Sequence, residues 1–597
     1  MIARRSAPDY DRPMIEQPVP SPQQQDLWGS DAIAAMLRAL DVPYLALNPG
    51  ASFRGLHDSL VNYTGNTRPQ MLLCVHEEVA VAIAHGYAKA SDRMMGAVLH
   101  SNVGLMHATM AIFNAWCDRV PVLLLGATGP WDAAKRRPWI DWLHTASDQG
   151  ALVRDYTKWD NQPGSVPAAF EALLRGVQIA NTAPRGPVYI NLDAAVQEQK
   201  IGPLPPLPDP ARFAPADSPE PPRELVVKAA KLLSSARAPL IMAGRCTRSL
   251  EGWNARVALA EKLQASVVTD LKQGAAFPTD HALHAGPPGV FLGAESAQAI
   301  RDADVILALD WNDLAGTLKQ AYGANPVQAK VINVSCDMHV HRGWSMDHQG
   351  LPPADVILLT EPDTALRPLL EACSARKGPP RPLPAAKSFP AAPEVSLLAV
   401  AQALDEATRG ADICIAKLPL GWNGAYRHFR HPLDYLGADG GGGVGAGPGL
   451  TVGAALALQG SGRLAVGLVG DGDFLVANTA VWTAARYRIP ALLIVCNNRS
   501  FYNDEVHQER VAKERARPVE NKWIGQKIID PDIDIAAMAR AQGAEGIGPV
   551  TKVAQVRPAI VKGLDLARAG RVVVIDMRVL PGYDANISGA APAAHKR

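Results

Sequence analysis

The chain has 597 residues, a length that predicts three or four domains rather than one. Hydrophobic residues make up 48% and charged residues 20% of it, as in soluble globular enzymes. Lysine plus arginine (59) nearly cancels aspartate plus glutamate (58), which argues against nucleic acid or a membrane surface as a partner.

The cysteines and the apolar runs indicate the cellular location of the protein. The seven cysteines form no CxxC pair, which is typical of a reduced, cytosolic chain. The opening residues MIARRSAPDYDRP lack the apolar core of a signal peptide, and no apolar stretch reaches 18 residues. We therefore expect a cytoplasmic protein without a membrane span.

Two proline-rich stretches divide the chain, because proline at this density builds neither helices nor central strands. They separate three blocks of ordinary domain size. The predicted units, in chain order, are an arm (1–26), a first domain (27–201), a linker (202–222), a middle domain (223–376), a second linker (377–394) and a third domain (395–597).

Each block alternates short apolar runs with helical patterns such as EEVAVAIAHGYAKA. Runs rich in Val, Ile and Leu between helices indicate parallel sheets covered on both faces, so the predicted fold class is α/β with three doubly wound parallel-sheet domains. The predicted strands are YLALNPG, MMGAVLH, VPVLLLGA and GPVYINLD, then APLIMAGR, ASVVTDL, DVILALD and AKVINVS, then ADICIA, LAVGLVGDG, PALLIVCNN and RVVVIDM.

Polar side chains end two consecutive strands of the third block. Asp471 and Asn498 are 27 residues apart, the length of one strand–helix–strand unit, so neighbouring strands would bring them together. A carboxylate with an amide oxygen suits Mg²⁺, which commonly keeps phosphate oxygens as further ligands. Gly470 and Gly472 let the backbone approach phosphates, and a helix beginning near Asp473 would offer them its N-terminus.

Each half of this pattern also has an ordinary structural interpretation. A GDG triplet is common in tight turns, and an asparagine pair after a strand is a usual turn signal. Their occurrence together, at the spacing of one unit, favours a site where magnesium anchors a diphosphate.

The same residues carry a resemblance to a known family. Gly470-Asp471-Gly472, 24 further residues and Asn497-Asn498 resemble the signature of thiamine-diphosphate-dependent enzymes, in the group of 2-oxo-acid decarboxylases and acetolactate synthases. AVWTAARYRIP is similar to a segment of the benzoylformate decarboxylases, the nearest members in motifs. The resemblance implies thiamine diphosphate and Mg²⁺ as cofactors, with Asp471, Asn498 and the Ser500 backbone carbonyl as metal ligands.

A second motif lies in the first, pyrimidine-binding block. CVHEEVAVAIAHGYAKAS resembles the family's segment with the glutamate that hydrogen-bonds the cofactor's aminopyrimidine, which would be Glu77. Glu78 occupies a position where the family varies. The alternative is a polar helix start with acidic residues on the favourable end of the dipole. In the family the two motifs meet between subunits, which implies a homodimer or homotetramer.

The glycine-rich segment DGGGGVGAGPGLTVGAA precedes the magnesium motif in the third, diphosphate-binding block. In the family, one apolar residue of this segment props the cofactor into a bent shape. The resemblance assigns that role to Val444, which is smaller than the usual residue. The alternative is a flexible glycine loop.

His100, in AVLHSNVG, is the candidate nearest the substrate, because the segment is similar to one whose histidine faces the substrate in benzoylformate decarboxylase. Two departures bear on the substrate. ALNPGASFRGL is similar to a segment of benzoylformate decarboxylase whose serine would bind the substrate carboxylate. Ala51 stands at the position of that serine, and Ser52 follows one position later. His144 and Thr145 stand where acetolactate synthases carry a Phe-Gln pair.

Two further segments are weaker candidates. Residues 503–523, which include Glu505 and His507, are interpreted as a solvated lid. FPTDHALHAG, which contains His281 and His284, resembles a middle-domain loop that reaches the active site in relatives. The acetolactate synthase relatives include enzymes with FAD in the middle domain, and no feature of this sequence indicates one.

These patterns favour a lyase or transferase that decarboxylates a 2-oxo acid and then releases an aldehyde or ligates a second carbonyl. One alternative is cleavage or ligation of 2-hydroxyketones or 2-hydroxyacyl-CoA. Another is a catalytically silent structural homologue, which would be expected to lack Glu77, Asp471 or Asn498. All three residues are present.

Overall fold

The computed structural model describes residues 16–20, 26–337, 350–376 and 389–582. Most of the predicted arm (1–26) and the greater part of the second linker (377–394) lie outside these ranges. The chain forms three parallel sheets, each with helices on its faces, which confirms the predicted fold class. Within the described residues, no helix combines the length and the apolar content that crossing a bilayer would need.

The first domain is built on a six-stranded sheet in the order β3-β2-β4-β5-β7-β6, every pair parallel. Two short strands, β1 and β8, pair antiparallel beside it. Its elements are β1 (Leu27–Trp28), α1 (Gly29–Ala39), β2 (Tyr44–Leu47), α2 (Arg54–Asp58), β3 (Gln70–Leu73), α3 (Glu77–Ser91), β4 (Met95–Val98), α4 (Ser101–Cys117), β5 (Val122–Thr128), α5 (Ile140–Leu143), β6 (Trp159–Asn161), α6 (Val166–Asn181), β7 (Val188–Asp193), α7 (Ala194–Gln197) and β8 (Lys200–Gly202).

The middle domain has a five-stranded sheet in the order β10-β9-β11-β12-β13, also parallel throughout. Its elements are α8 (Arg223–Ser235), β9 (Pro239–Ala243), α9 (Leu250–Leu263), β10 (Ser266–Val268), α10 (Ala294–Asp302), β11 (Val305–Leu309), α11 (Leu314–Tyr322), β12 (Lys330–Val334), β13 (Val356–Leu358) and α12 (Pro362–Ala372).

The third domain repeats the plan in the order β14-β15-β16-β18-β17. Its elements are α13 (Leu397–Ala407), β14 (Ile413–Lys417), α14 (Ala446–Ala457), β15 (Leu464–Gly470), α15 (Asp471–Ala477), α16 (Ala480–Arg486), β16 (Ala491–Asn497), α17 (Tyr502–Glu514), α18 (Ile535–Ala541), β17 (Glu545–Val550), α19 (Val553–Arg568) and β18 (Val572–Arg578).

Every predicted strand is present, and the structure adds four strands of the three main sheets that the apolar runs do not mark. These are β3, β6, β13 and β17, and each lies at the edge of its sheet. An edge strand has a neighbour on one side only and is less buried, so its sequence is not obliged to be a continuous apolar run.

One prediction needs a correction in this region. The helix after β15 begins at Asp471, two residues earlier than the predicted start near Asp473. Gly470 is its N-cap, so Asp471 itself lies in the first turn. Acidic residues are stabilising there because the amide groups of the first turn are unpaired.

The first and third domains contact each other through α3 and α14, which pack at close range. A Cβ built on Gly86 would lie 2.3 Å from the Leu450 carbonyl oxygen, and one on Gly453 would lie 2.0 Å from the Ile83 carbonyl oxygen. Glycine on both helices is therefore required by the packing. Lys89 Nζ adds a hydrogen bond from α3 to the Ala438 carbonyl of the third domain.

Candidate active site

The predicted metal ligands meet at one edge of the third sheet. Asp471 follows β15 and Asn498 follows β16, and these strands are neighbours with Gly470 opposite Cys496. The backbone N–H of Ser500 donates to Asp471 Oδ2 at 3.1 Å and to Asn498 Oδ1 at 2.9 Å. One amide thus holds both side-chain oxygens, so they lie close enough to share a small ligand.

The electrostatics of this edge suit a cation. Asp471 is 3% exposed, and burial raises its pKa to about 6, although backbone N–H donors from Gly472, Arg499 and Ser500 oppose the shift. The buried Glu505 carboxylate accepts a hydrogen bond from the Ser500 hydroxyl. Carboxylate and amide oxygens are ligands of a hard cation, and a bound cation would favour the charged form of Asp471.

The described residues contain no cluster of three or more His, Cys, Asp or Glu side chains that could hold a metal. The set at Asp471 has one carboxylate, one amide oxygen and the Ser500 backbone. Such a set leaves most coordination positions to other ligands, which fits an ion that also binds phosphate oxygens and water.

The glycine-rich segment is tied to the same edge by Asp473. Its Oδ1 accepts hydrogen bonds from the backbone N–H groups of Gly445 at 2.6 Å and Gly447 at 3.2 Å. Gly445 has φ +111°, and a Cβ there would lie 2.6 Å from Val476 Cγ1. These contacts fix the backbone geometry of the turn at Gly445. Val444, the predicted prop, has 52% of its surface exposed in the single chain.

The two glycines of the GDG motif have different surroundings. A Cβ on Gly472 would lie 2.5 Å from Phe501 Cε1, so this position has no room for a side chain. A Cβ on Gly470 would meet no atom within 4 Å. A ligand could therefore approach the backbone at the end of β15 through the open space beside Gly470.

Glu77 begins α3 at the end of β3 and is buried. Its Oε2 lies 3.1 Å from His107 Nδ1, and a Cβ on Gly104 would lie 2.9 Å from its Oε1. Both contacts come from α4. Glu77 therefore points toward the first turns of α4, and glycine at position 104 makes the space for its carboxylate.

Glu78 points in another direction, toward the third domain. A Cβ on Gly445 would lie 3.5 Å from Glu78 Oε1. Burial and the nearby Asp473 carboxylate raise the pKa of Glu78. The first turn of α3 and the glycine-rich segment thus face each other within one chain.

His100 lies between two polar neighbours. Its Nδ1 is 2.9 Å from Ser52 Oγ, and its ring meets the ring of His144 edge to face with centroids 4.6 Å apart. Ser52 follows β2 and His144 follows β5, and both strands flank β4, which leads into His100. The order of strands in the sheet, and not the order along the chain, assembles this group.

The remaining candidates lie elsewhere. His281 Nε2 is 3.2 Å from Glu261, and the buried His284 is 2.9 Å from Thr269 Oγ1, so both bond within the middle domain. In the predicted lid, α17 covers 502–514, and His507 is exposed with its Nδ1 3.3 Å from Arg510.

Sequence reasoning missed three features of this site: the contacts of His107, Asp473 and Ser52. The sequence offers a signal for His107, which stands seven residues after His100. Seven residues make about two helical turns, so a helix here would place the two histidines on the same side. Asp473 falls two residues after Asp471 and reads as an ordinary helix-start residue. For Ser52 the only signal in the sequence is that it lies one position after the expected serine.

Three doubly wound sheets with polar side chains gathered at the strand ends place this chain among the α/β proteins that bind ligands at the carboxyl ends of their strands. The particular family follows from comparison with known proteins. Models of the thiamine pyrophosphate enzymes match all three domains: the N-terminal TPP binding domain at 27–152, the central domain at 226–343 and the C-terminal TPP binding domain at 420–577. The chain belongs to the thiamine pyrophosphate enzyme family.

Individual relatives agree with this assignment. The chain is 26% identical to benzoylformate decarboxylase of Pseudomonas aeruginosa, over 81% of the chain and 87% of that enzyme. It is 24% identical to the acetolactate synthase large subunit of Lactococcus lactis, over 87% and 88%. The crystal structure of benzoylformate decarboxylase from Polynucleobacter necessarius superimposes with a TM-score of 0.74 at 20% identity, covering 94% of this chain and all of that one.

Proposed function

We propose that this protein uses thiamine diphosphate and Mg²⁺ to decarboxylate a 2-oxo acid. The observation that supports this most directly is the meeting of Asp471, Asn498 and the Ser500 backbone at one sheet edge, with open space beside Gly470. It is supported further by the buried Glu77 and by relatives named as a decarboxylase and an acetolactate synthase.

The proposed division of work follows from the chemistry of the groups. Asp471, Asn498 and the Ser500 carbonyl would hold Mg²⁺, and the open space beside Gly470 would admit the diphosphate. When bound, thiamine diphosphate supplies the carbon nucleophile and the electron sink that decarboxylation of a 2-oxo acid requires.

Glu77 and His100 act on the other side of the site. Glu77 is the carboxylic acid that would hydrogen-bond the pyrimidine ring of the cofactor and orient it. His100 faces the substrate with Ser52 and His144 around its ring. Val444 supports the cofactor from the glycine-rich segment, where Asp473 fixes the backbone.

The product is an aldehyde, or an acyloin formed by addition to a second carbonyl. The relatives include an enzyme of each kind by name, a decarboxylase and an acetolactate synthase. We propose a homodimer or homotetramer as the active assembly, because the exposed Val444 needs cover if it is to support a cofactor.

The test is release of CO₂ from a panel of aliphatic and aromatic 2-oxo acids, with thiamine diphosphate and Mg²⁺ present and the products identified by mass. CO₂ with aldehyde establishes a decarboxylase, and CO₂ with acyloin establishes a ligating synthase. Cleavage of 2-hydroxyketones or 2-hydroxyacyl-CoA without CO₂ from any 2-oxo acid would replace this proposal with the lyase alternative. Cofactor binding without any turnover would indicate a silent homologue.

A further inference from the structure

The turn that joins β4 to α4 is held by a hydroxyl from another part of the chain. His100 is the N-cap residue of α4, and its side chain makes no capping hydrogen bond. The first helical residue, Ser101, has φ +35°, which is uncommon for a residue with a side chain. Its backbone N–H donates to Ser52 Oγ at 3.2 Å. Ser52 therefore caps a helix that its own sequence leaves uncapped.

The same hydroxyl also reaches the imidazole of His100. Ser52 is 4% exposed, and its Oγ lies 2.9 Å from His100 Nδ1. A hydroxyl has one hydrogen and two lone pairs, and one lone pair accepts from Ser101. The second lone pair could accept from His100, but the hydrogen of this buried hydroxyl would then be left without an acceptor, which is unfavourable. Among the contacts of the described residues, Nδ1 is the acceptor that this hydrogen can reach. Donation from Ser52 requires an Nδ1 without hydrogen, which places the imidazole hydrogen on Nε2.

The charges around His100 favour a neutral ring. Burial lowers the pKa of His100 below its ordinary value, and the nearby His144 and Arg137 lower it further, while Glu77 acts in the opposite direction. Arg137 is itself paired with Asp141, whose Oδ1 lies 2.8 Å from Arg137 Nη2. The net direction is toward the uncharged form, in agreement with the hydrogen-bond count.

We propose that Ser52 is a positioning residue that holds His100 as a neutral imidazole with its hydrogen on Nε2, so that His100 acts as a hydrogen-bond donor to an oxygen of the substrate. This inference rests on the proposed function, in which His100 faces the substrate. A neutral donor stabilises negative charge that develops on a carbonyl oxygen without giving up its proton. Ser52 thereby has a different task from the carboxylate-binding serine that Ala51 replaces.

The direct test is ¹⁵N NMR of the full-length chain labelled at histidine, with the His100 signals assigned by their absence in His100→Gln. At pH 7 we expect Nδ1 without hydrogen and Nε2 with hydrogen. In Ser52→Ala we expect both tautomers and a titration midpoint of His100 shifted upward. Ser52→Thr, which keeps the hydroxyl, should resemble the wild type. A wild-type His100 with hydrogen on Nδ1, or charged at pH 7, would overturn the inference, as would a Ser52→Ala spectrum identical to the wild type.

Kinetics give a second readout. With a substrate identified from the panel, Ser52→Ala should lower kcat about tenfold, equivalent to about 1.4 kcal/mol, with KM nearly unchanged and Ser52→Thr restoring the rate. Thermal melting shows whether the variants fold. Failure of the wild type to bind thiamine diphosphate would defeat the proposed function but not the NMR result. An active wild type with the other tautomer would defeat this inference alone.

Discussion

Asp471 is a carboxylate whose charge is disfavoured by burial and supported by backbone amides. Replacing it by alanine removes the one charged ligand of the proposed magnesium site. We expect Asp471→Ala to weaken thiamine diphosphate binding at millimolar Mg²⁺ by at least about 100-fold. Calorimetric titration of the cofactor measures this directly.

The matched control is Asp565→Ala, which removes an exposed carboxylate from α19 of the same domain. It should bind the cofactor like the wild type. Unchanged affinity in Asp471→Ala would mean that this carboxylate does not hold the metal.

Glu77 and Glu78 are adjacent, and the structure separates their surroundings. Glu77 lies against α4, and Glu78 lies against the glycine-rich segment. We expect Glu77→Gln to keep cofactor binding and to lose about 10²–10⁴-fold in kcat, because the amide cannot give the pyrimidine a proton. Steady-state rates and calorimetry on the same preparation separate the two effects.

Glu78→Gln serves as the control for this substitution. It should retain most of the activity, since its carboxyl is assigned no part in the chemistry. Full activity in Glu77→Gln would contradict the role proposed for Glu77.

The turn before α14 depends on the backbone conformation of Gly445. Gly445 combines φ +111° with a neighbour that a Cβ would approach to 2.6 Å. We expect Gly445→Ala to cost about 1–3 kcal/mol in the free energy of unfolding. The same change should displace the amides that bind Asp473, so cofactor affinity should fall as well.

Gly460→Ala separates the effect of backbone strain from the effect of a steric clash. Gly460 has φ +78°, and a Cβ there would meet no atom within 4 Å, so alanine introduces backbone strain without a clash. Its melting temperature should fall less than that of Gly445→Ala, and its cofactor affinity should not change. Equal losses in the two variants would show that contact with Val476 is unimportant.

At the scale of the whole molecule, the proposed assembly places Glu77 and Asp471 of different copies in one site. Glu77→Gln and Asp471→Ala would each be inactive alone. In a hybrid of the two, one site has both residues intact, so random pairing should restore about a quarter of the wild-type activity. Co-expression followed by rate measurement tests this. If the hybrid stays inactive while light scattering shows a dimer, each site is built within one chain.

The middle domain contributes a pH dependence of stability. Burial lowers the pKa of His284 to about 3, compared with about 6.5 in the unfolded chain. Between these values the unfolded state binds the additional proton, so stability is complete above pH 6.5 and is lost as the pH falls, at up to about 1.4 kcal/mol per pH unit. We expect the melting temperature of His284→Gln to depend less on pH between 4 and 6.5.

The control is His507→Gln on the exposed surface of α17. Its melting temperature should follow the wild-type pH dependence. If His284→Gln follows the wild-type curve too, His284 is not the group responsible for the acid sensitivity.

The sequence by itself determined the three parallel sheets and the pairing of Asp471 with Asn498. Both depend on local patterns: apolar runs form central strands, and consecutive neighbouring strands end at one edge. The sequence did not predict four edge strands, β3, β6, β13 and β17, because edge strands do not need continuous apolar runs. The start of α15 was misplaced by two residues because a glycine can serve as N-cap as well as a polar residue.

Only the tertiary structure decided which side chains surround His100 and the two glutamates. Ser52 and His100 are 48 residues apart, and they meet because β2 lies beside β4 in the sheet. Glu78 meets the glycine-rich segment because α3 packs on α14. Contacts of this kind are set by strand order and helix packing, which no pattern along the chain encodes, and they determine how the predicted residues are held in the site.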